Sequence, residues 1–580
     1  YVLKFPGTAV FDLKNGPEGI IVGGSYRNNE IFEYNTVTEE LTHLGRATED
    51  QFYTYSVAYD PVRDDYYFGT GSTAHLIRYD RETGEKTEIA LPERFSSAQW
   101  VWDMKVVEDK LFMRLSPGAS LAYNLATGEF EDTDRAITSR FVSDKSPVDN
   151  KLYFTHSTQL GYYDFDTQEY HMLGIETYEE GRGFAFLELD DPEFPGVTLV
   201  GIMGGRLMKY NLETGKVTNN VLAIEGKASG MHSLAKGNDG KIHISAFISG
   251  GNAIYDPVTG ETEEYSKLTV GKEHTVPGNQ TDTILSYKDK IYFVTYGSMR
   301  VYEYDQSLPW DRQHPEHPNP RFLFTASDVG GQDRGWTGVV MPEEGKLVIG
   351  TVPDYGLLGG ALVIYDLETD EREVHWNVID QQSVTAVTYK DGLIYGGSNI
   401  WGGLGINPTE SEAKLFIWDV EKKEKVFETV PVSGKRGITE LIVGPDGMIW
   451  GSAEGDLFIF DPDTREVVLR KNLVTRSYST STWRDTSFEI GTDGNVYGVQ
   501  GNQFFMIDAK TKEKTVIRNV GKRHELAQDD FGHFYLTEDQ NVLKISLPDL
   551  VVKPTGARLD VSSTELDRGD TAEIRINGLL

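Results

Sequence analysis

Five arginines occupy one recurrent place in this chain, just ahead of an alternating apolar strand. They are Arg182 in GRGFAFLEL, Arg334 in DRGWTG, Arg436 in KRGITE, Arg484 in WRDTSFEIG and Arg523 in KRHELAQ. His232 (GMHSLAKG), Gln280 (NQTDTIL) and Gln381 and Gln382 (DQQSVTA) stand at the same place in other segments. A guanidinium is a planar fork that pairs two-pronged with a carboxylate or sulfate. A ring of such forks would concentrate an anionic ligand. The chemistry that joins Arg, His and Tyr on an acidic sugar is β-elimination. A cation neutralises the uronate carboxylate and so acidifies the C5 proton, a base removes that proton, and an acid assists the leaving oxygen. The candidate catalytic set is His232, Tyr53, Arg182 and Arg334, with His75 and His156 as alternative bases. Each arginine also has a plainer role open to it: pairing with a nearby acid such as Asp333, Asp485 or Glu525, or capping a backbone carbonyl.

Aromatic residues gather at the same place. Tyr53, Trp100, Trp102, Trp336, Tyr478 and Trp483 precede strands, and Tyr26, Tyr296, Tyr355 and Trp401 fall in loops expected at the same end. Rings with an apolar face and a polar rim suit sugars, although they also pack between repeats. The candidate substrate-binding set is Arg436, Arg484, Trp102, Trp336, Tyr355, Trp401 and Gln280. The two longest loops, GTVPDYGLLGGA from Gly350 and SNIWGGLGINPTESEA from Ser398, lie in adjacent repeats and are expected to wall a cleft.

The elements that must position these residues are read from a hairpin signature recurring about every 45 residues. LIRYDRETGE from Leu76, NAIYDPVTGE from Asn252, LVIYDLETDE from Leu362 and LFIFDPDTRE from Leu457 show it: an alternating strand, an Asp, a tight turn, then a polar strand. One such unit cannot bury its own apolar face, so the units must pack on one another. The fold expected is an all-β propeller of about twelve four-stranded blades over residues 1–550, as two propellers, one nested in the other, or one large ring. The insertion QSLPWDRQHPEHPNP marks a candidate boundary near 306–335, or else an overlong loop. The last repeat lacks its outer strand, and Val2–Phe5 is a strand without a repeat. The N-terminal strand is therefore expected to close the last blade, making the first and last blades neighbours.

Composition narrows the classes. A formal charge of −34 opposes nucleic acid and anionic membrane, and no run of about 18 apolar residues exists to span a bilayer. The opening YVLKFPGTAVFDL reads as strand rather than leader. Without cysteine there is no disulfide, thiol catalysis or Cys-ligated zinc. The Asp-Pro turns DPVRDD and DPDTRE offer carboxylates to Ca²⁺ but read more simply as hairpin turns, and no metal ligand set is assigned. Glycoside hydrolysis needs two facing carboxylates, for which Asp282, Asp333 and Asp485 are candidates.

In repeat architecture and in its Arg, His and Tyr types on the central face, the chain resembles the propeller-fold polysaccharide lyases. That resemblance implies a secreted lyase acting on an acidic, uronate-containing polysaccharide. The alternatives are a non-catalytic propeller scaffold that binds carbohydrate or protein, and a glycoside hydrolase. Residues 551–580, VVKPTGARLDVSSTELDRGDTAEIRINGLL, resemble a linker and the opening of a bacterial immunoglobulin-like module. This implies a modular bacterial protein at the cell surface or outside the cell, with other modules of the same chain as partners.

Overall fold

The computed structural model describes residues 9–116, 119–131, 138, 140–222, 228–248, 250–267, 269–270, 272–277, 280–326, 330–475, 478, 482–521, 525–548, 550 and 574–576. Consecutive strands pair antiparallel in groups of four, giving twelve blades. The chain divides into two compact units, residues 1–225 and 226–580. Unit 1 holds blades 1 to 5, which begin at Ala9, Tyr53, Trp100, Val142 and Gly181. Unit 2 holds blades 6 to 12, which begin at Met231, Thr281, Gln332, Ser383, Ile438, Thr486 and Leu526. The segment 306–335 runs within unit 2, and residues 306–320 connect the third and fourth strands of blade 7.

The turn between third and fourth strands explains the signature. Asp366 Oδ1 accepts the N–H groups of Glu368 and Thr369, each at 3.0 Å. The residue four positions on takes positive φ and donates its N–H to the Asp carbonyl, as Asp370 and Gly84 do. A type I turn followed by one left-handed residue needs both features. The Asp-Pro turns use their carboxylates in the same way: Asp461 Oδ1 accepts from Asp463 at 2.9 Å, and Asp256 Oδ1 from Val258 at 2.8 Å. Among the described residues no group of three or more His, Asp or Glu is placed to hold a metal ion.

Middle strands such as Lys346–Pro353 and Ala361–Asp366 are buried on both faces, because each blade of unit 2 is sandwiched between two others. In unit 2 a separate apolar cluster fills each junction, from blades 6 and 7 (Ile254, Phe293) round to blades 11 and 12 (Phe504, Phe534). A seventh cluster joins blade 12 to blade 6, with Ala527, Tyr535 and Val542 against Leu234, Ile244 and Tyr255. Lys236 pairs with Asp530 at 2.6 Å across the same junction. Seven sheets with seven junctions form a closed ring. Unit 1 is a run of five blades with clusters at its four successive junctions, and among its described residues none joins blade 5 to blade 1.

From the sequence, blade 12 is expected beside blade 1. It packs instead against blade 6, and its fourth strand is Ile574–Ile576, which pairs with Asn541–Ile545. Val2–Phe5 lies outside the described residues, as does nearly all of the proposed immunoglobulin-like segment. Among the described residues no helix is long and apolar enough to cross a membrane.

Trp450 tests the junction packing. It is fully buried between blades 10 and 11, donates Nε1–H to Asp446 at 2.9 Å, and carries Lys512 over its ring. Trp450→Ala is expected to destabilise unit 2 by about 3–5 kcal/mol, measured by denaturant unfolding. A loss below about 1 kcal/mol would contradict the packing described.

Candidate functional site

A repeated backbone irregularity builds the site. The first strands of blades 6 to 10 each carry a β-bulge near their start, with His232, Asp282, Asp333, Thr385 and Thr439 as the extra residues. A bulge bends its strand and re-aims the side chain there. Hydroxyls at and beside the bulges tie neighbouring first strands together: Ser233 Oγ donates to Thr281 O, Thr283 Oγ1 to Gly335 O, and Thr385 Oγ1 to Ile438 O.

At the centre of the unit 2 cluster lies the fully buried carboxylate of Asp282. Its Oδ1 accepts Gln280 Nε2–H at 2.8 Å and His232 Nε2–H at 2.9 Å. Among the described residues its Oδ2 has no hydrogen-bond partner, and Arg334 NH1 lies 3.8 Å away. These neighbours, led by His232, hold Asp282 below the usual carboxylate range against the opposing effect of burial. Burial depresses His232, with the Arg484 charge adding to it and Asp282 opposing. With Nε2–H given to Asp282, the neutral imidazole keeps its lone pair at Nδ1.

Arg334 lies over the Tyr296 ring, 3.7 Å from its centroid, and within 6 Å of Trp336 and Trp483. Tyr296 and Tyr355 share a hydroxyl–hydroxyl hydrogen bond of 2.8 Å, and burial raises both phenols above their ordinary value. Arg484 is committed differently. Its Nε pairs with Glu525 at 2.9 Å, NH1 donates to His232 O at 3.3 Å, NH2 donates to Asp282 O, and the guanidinium lies over Trp336. Arg484 thus ties blade 11 to blades 12, 6 and 7. Trp336 Nε1–H donates to Trp483 O at 3.0 Å, and Trp336, Val352 and Trp483 form a cluster onto which Trp401 packs.

Arg484 and Trp336 also line a cavity of about 140 Å³ shared with Asp282, Glu440, Glu525 and threonines of the first strands. Burial lifts Glu525 to about 7, outweighing the Arg484 charge, and lifts Glu489 to about 7. Glu440 is raised well above its ordinary value by burial and by the charges of Glu525 and Glu489. Asp333, whose Oδ1 accepts the Ser298 N–H at 3.0 Å, is pushed by burial to about 6.

Of the residues expected from sequence, His232, Gln280, Arg334, Trp336 and Arg484 come together here, with Tyr355 beside Arg334 and Trp401 on the tryptophan cluster. Arg436 belongs to blade 10, where it pairs with Glu454 at 3.1 Å and donates to Tyr478 O. Tyr53, Trp102 and Arg182 belong to unit 1. Tyr53 stacks on Tyr26 at 4.1 Å, Trp102 lies under Arg140, and Arg182 is an exposed bulge residue of blade 5. His75 in unit 1 contacts Glu88 at 2.7 Å, and Arg523 lies outside the described residues. The two long loops of blades 8 and 9 do zip together, through Gly356 N–H to Leu404 O and Gly403 N–H to Leu357 O. A Cβ on Gly403 would fall 1.9 Å from Asp354 O, so only glycine permits that approach. Glu440 and Glu489 stand outside the set expected from sequence. Their signal is a lone acid inside apolar first strands, ITELIV and TSFEI.

The strand order and the axial cluster define a β-propeller protein with a charged, aromatic-lined mouth in its seven-bladed unit. No family model matches the chain, and no curated protein sequence matches it. Among solved structures it is similar to the extracellular domain of the BT4673 system of B. thetaiotaomicron, at 15% identity and a TM-score of 0.40, covering 95% of this chain and 72% of that one. PorZ, a surface component of the type-IX secretion system of Porphyromonas gingivalis, aligns at 12% identity and a TM-score of 0.38, over 91% of this chain and 72% of its own.

The raised glutamates make a pH prediction. Between the ordinary glutamate value of 4.5 and about 7, the folded chain holds protons on Glu525 and Glu489 that the unfolded chain has released. Their contribution to stability is complete below 4.5 and is lost as pH rises through about 7. The depressed His232 acts in the opposite sense below its ordinary 6.5, so the informative quantity is the difference between proteins. Glu525→Gln and Glu489→Gln are each expected to lose less stability than the parent as pH rises across that window. Parallel stability curves measured by denaturant titration would refute the assignment.

Proposed function

We propose that unit 2 recognises a carboxylated saccharide at its axial mouth, and that the protein works outside the cell or at its surface. The observation that carries the binding reading is the contrast between Arg334 and the other two described arginines of this unit's pre-strand positions. Arg436 and Arg484 make close pairs with carboxylates at 3.1 and 2.9 Å, whereas among the described residues the ion pair of Arg334 is at 3.8 Å. A fork braced on Tyr296 and flanked by Trp336 and Trp483 suits a carboxylate carried on a sugar ring, with the rings taking its apolar face. The side chains of Arg334 and His232 keep 11% and 13% of their surface exposed, which suits a small acidic sugar or chain end. The location outside the cell rests on the sequence resemblance of residues 551–580 to an immunoglobulin-like module, although Ile574–Ile576 of that segment serve as the fourth strand of blade 12.

A second reading, β-elimination, is favoured by the Asp282–His232 pair. Asp282 orients the imidazole, so that Nδ1 of the neutral ring can take a proton from the carbon next to a carboxylate neutralised by Arg334. The Tyr296–Tyr355 pair, protonated at neutral pH, would donate to the leaving oxygen.

Calorimetric titration with oligogalacturonate and oligoglucuronate separates these readings. Binding is expected, weakened about tenfold or more by Arg334→Lys and little changed by Arg436→Ala. Binding that survives Arg334→Ala intact would overturn the site. Growth of unsaturated-uronate absorbance, abolished by His232→Ala, would add the lyase step; binding without it leaves recognition alone.

A further inference from the structure

A second cavity lies away from the axis, at the outer side of blades 6 and 7. It exists because blade 7 replaces the tight turn between its third and fourth strands with residues 306–320. This connection is built rather than loose. Asn319 is buried, and its Nδ2 donates to the carbonyls of Asp305, Leu308 and Pro309 at 2.9–3.1 Å while its Oδ1 accepts the Asp305 N–H at 2.8 Å. Asp311 and Asn319 exchange backbone hydrogen bonds, Trp310 Nε1–H donates to His274 O at 2.8 Å, and Arg312 donates to Thr275 O. Long ordered connections on rigid scaffolds are where binding tends to reside.

The connection and the edge of blade 6 enclose a volume of about 470 Å³, within the usual range for small-ligand sites. Tyr265, Tyr304 and Trp310 line it, with Trp310 stacked on Tyr265 at 4.1 Å. The polar lining is mixed: Asp239 and Glu263 accept, Lys241 and Gln306 donate. Among the described residues Gln306 Nε2 is a buried donor with no acceptor, and the fully buried His243 has Asp239 Oδ1 at 3.5 Å from its Nε2. Gly237 keeps these groups clear. A Cβ there would lie 2.4 Å from Asp239 Oδ1, 2.8 Å from His243 Nε2 and 2.9 Å from Gln306 Nε2.

We propose that this cavity binds a neutral sugar. Aromatic rings accept the apolar face of a pyranose, and hydroxyl groups, each both donor and acceptor, can answer the two carboxylates together with the amide and the ammonium. Two carboxylates against one lysine disfavour a uronate, the opposite of the axial mouth. A quaternary ammonium would use the rings and the acids but leave Gln306 without an acceptor and place a second cation beside Lys241.

The test titrates the full chain with glucose, galactose, mannose and xylose, following tryptophan fluorescence and heat. Millimolar binding of at least one sugar is expected. It should weaken about tenfold or more in Gln306→Ala and in Lys241→Ala, both checked by circular dichroism for retained fold, and stay unchanged in Arg334→Ala. The last comparison keeps this site independent of the axial reading. No binding of any of the four at tens of millimolar overturns the proposal. So does binding untouched by both cavity variants, or saturable binding of tetramethylammonium in place of the sugars.

Discussion

A carboxylate removed from water organises the mouth of unit 2. An ion as buried as Asp282 carries a desolvation cost of several kcal/mol, which only close partners can offset. Gln280 and His232 bond one of its oxygens, Arg334 faces the other, and Arg484 holds its backbone carbonyl. Because these partners come from blades 6, 7, 8 and 11, one buried charge fixes the relative placement of side chains far apart in sequence. The same partners set the imidazole orientation. His232 must present Nε2–H inward, so any chemistry it performs is confined to Nδ1.

This placement is possible because the ring is closed and its inner strands are bulged. Each junction is a continuous apolar cluster, so neighbouring first strands cannot shift singly, and the hydroxyl ties from Ser233, Thr283 and Thr385 hold them in register. On a regular strand the residues at His232 and Asp282 would follow the strict alternation of faces. The bulge releases them from it.

How much of this is legible in the sequence follows from which interactions are local. The turns are local: Asp366 bonds residues two and three positions away, so the repeat period, the strand order and the count of twelve blades can be read directly. The location of the arginines just ahead of inner strands is local too. The closure is not. Nothing near Ala527 or Tyr535 announces that they pack on Leu234 rather than on blade 1, because apolar faces of similar repeats are interchangeable to the eye. Bulges leave no residue signature, so the gathering of His232 with Asp282 could be expected only as a shared neighbourhood, and the grouping of Tyr53 and Arg182 with them joins residues of two different units. The insertion 306–320 was visible as an interruption of the repeat, but its use in enclosing a cavity depends on Asn319, Trp310 and Arg312 reaching particular backbone carbonyls.

The two arginines that contact Asp282 show how charge is graded around it. Arg484 is spent within the protein, on Glu525 and two carbonyls, and with Trp336 it stands at the cavity that holds Glu440 and Glu525. Those acids sit where burial makes ionisation costly, and a second anion entering beside them would raise that cost further. Arg334 is the cation with a long carboxylate contact and aromatic walls. Under the proposed reading, a carboxylated ligand would be drawn to Arg334 and opposed beside Glu440 and Glu525. That gradient favours holding an acidic group at the mouth over passing it through the ring, the behaviour expected of a recognition site before any catalytic step is added.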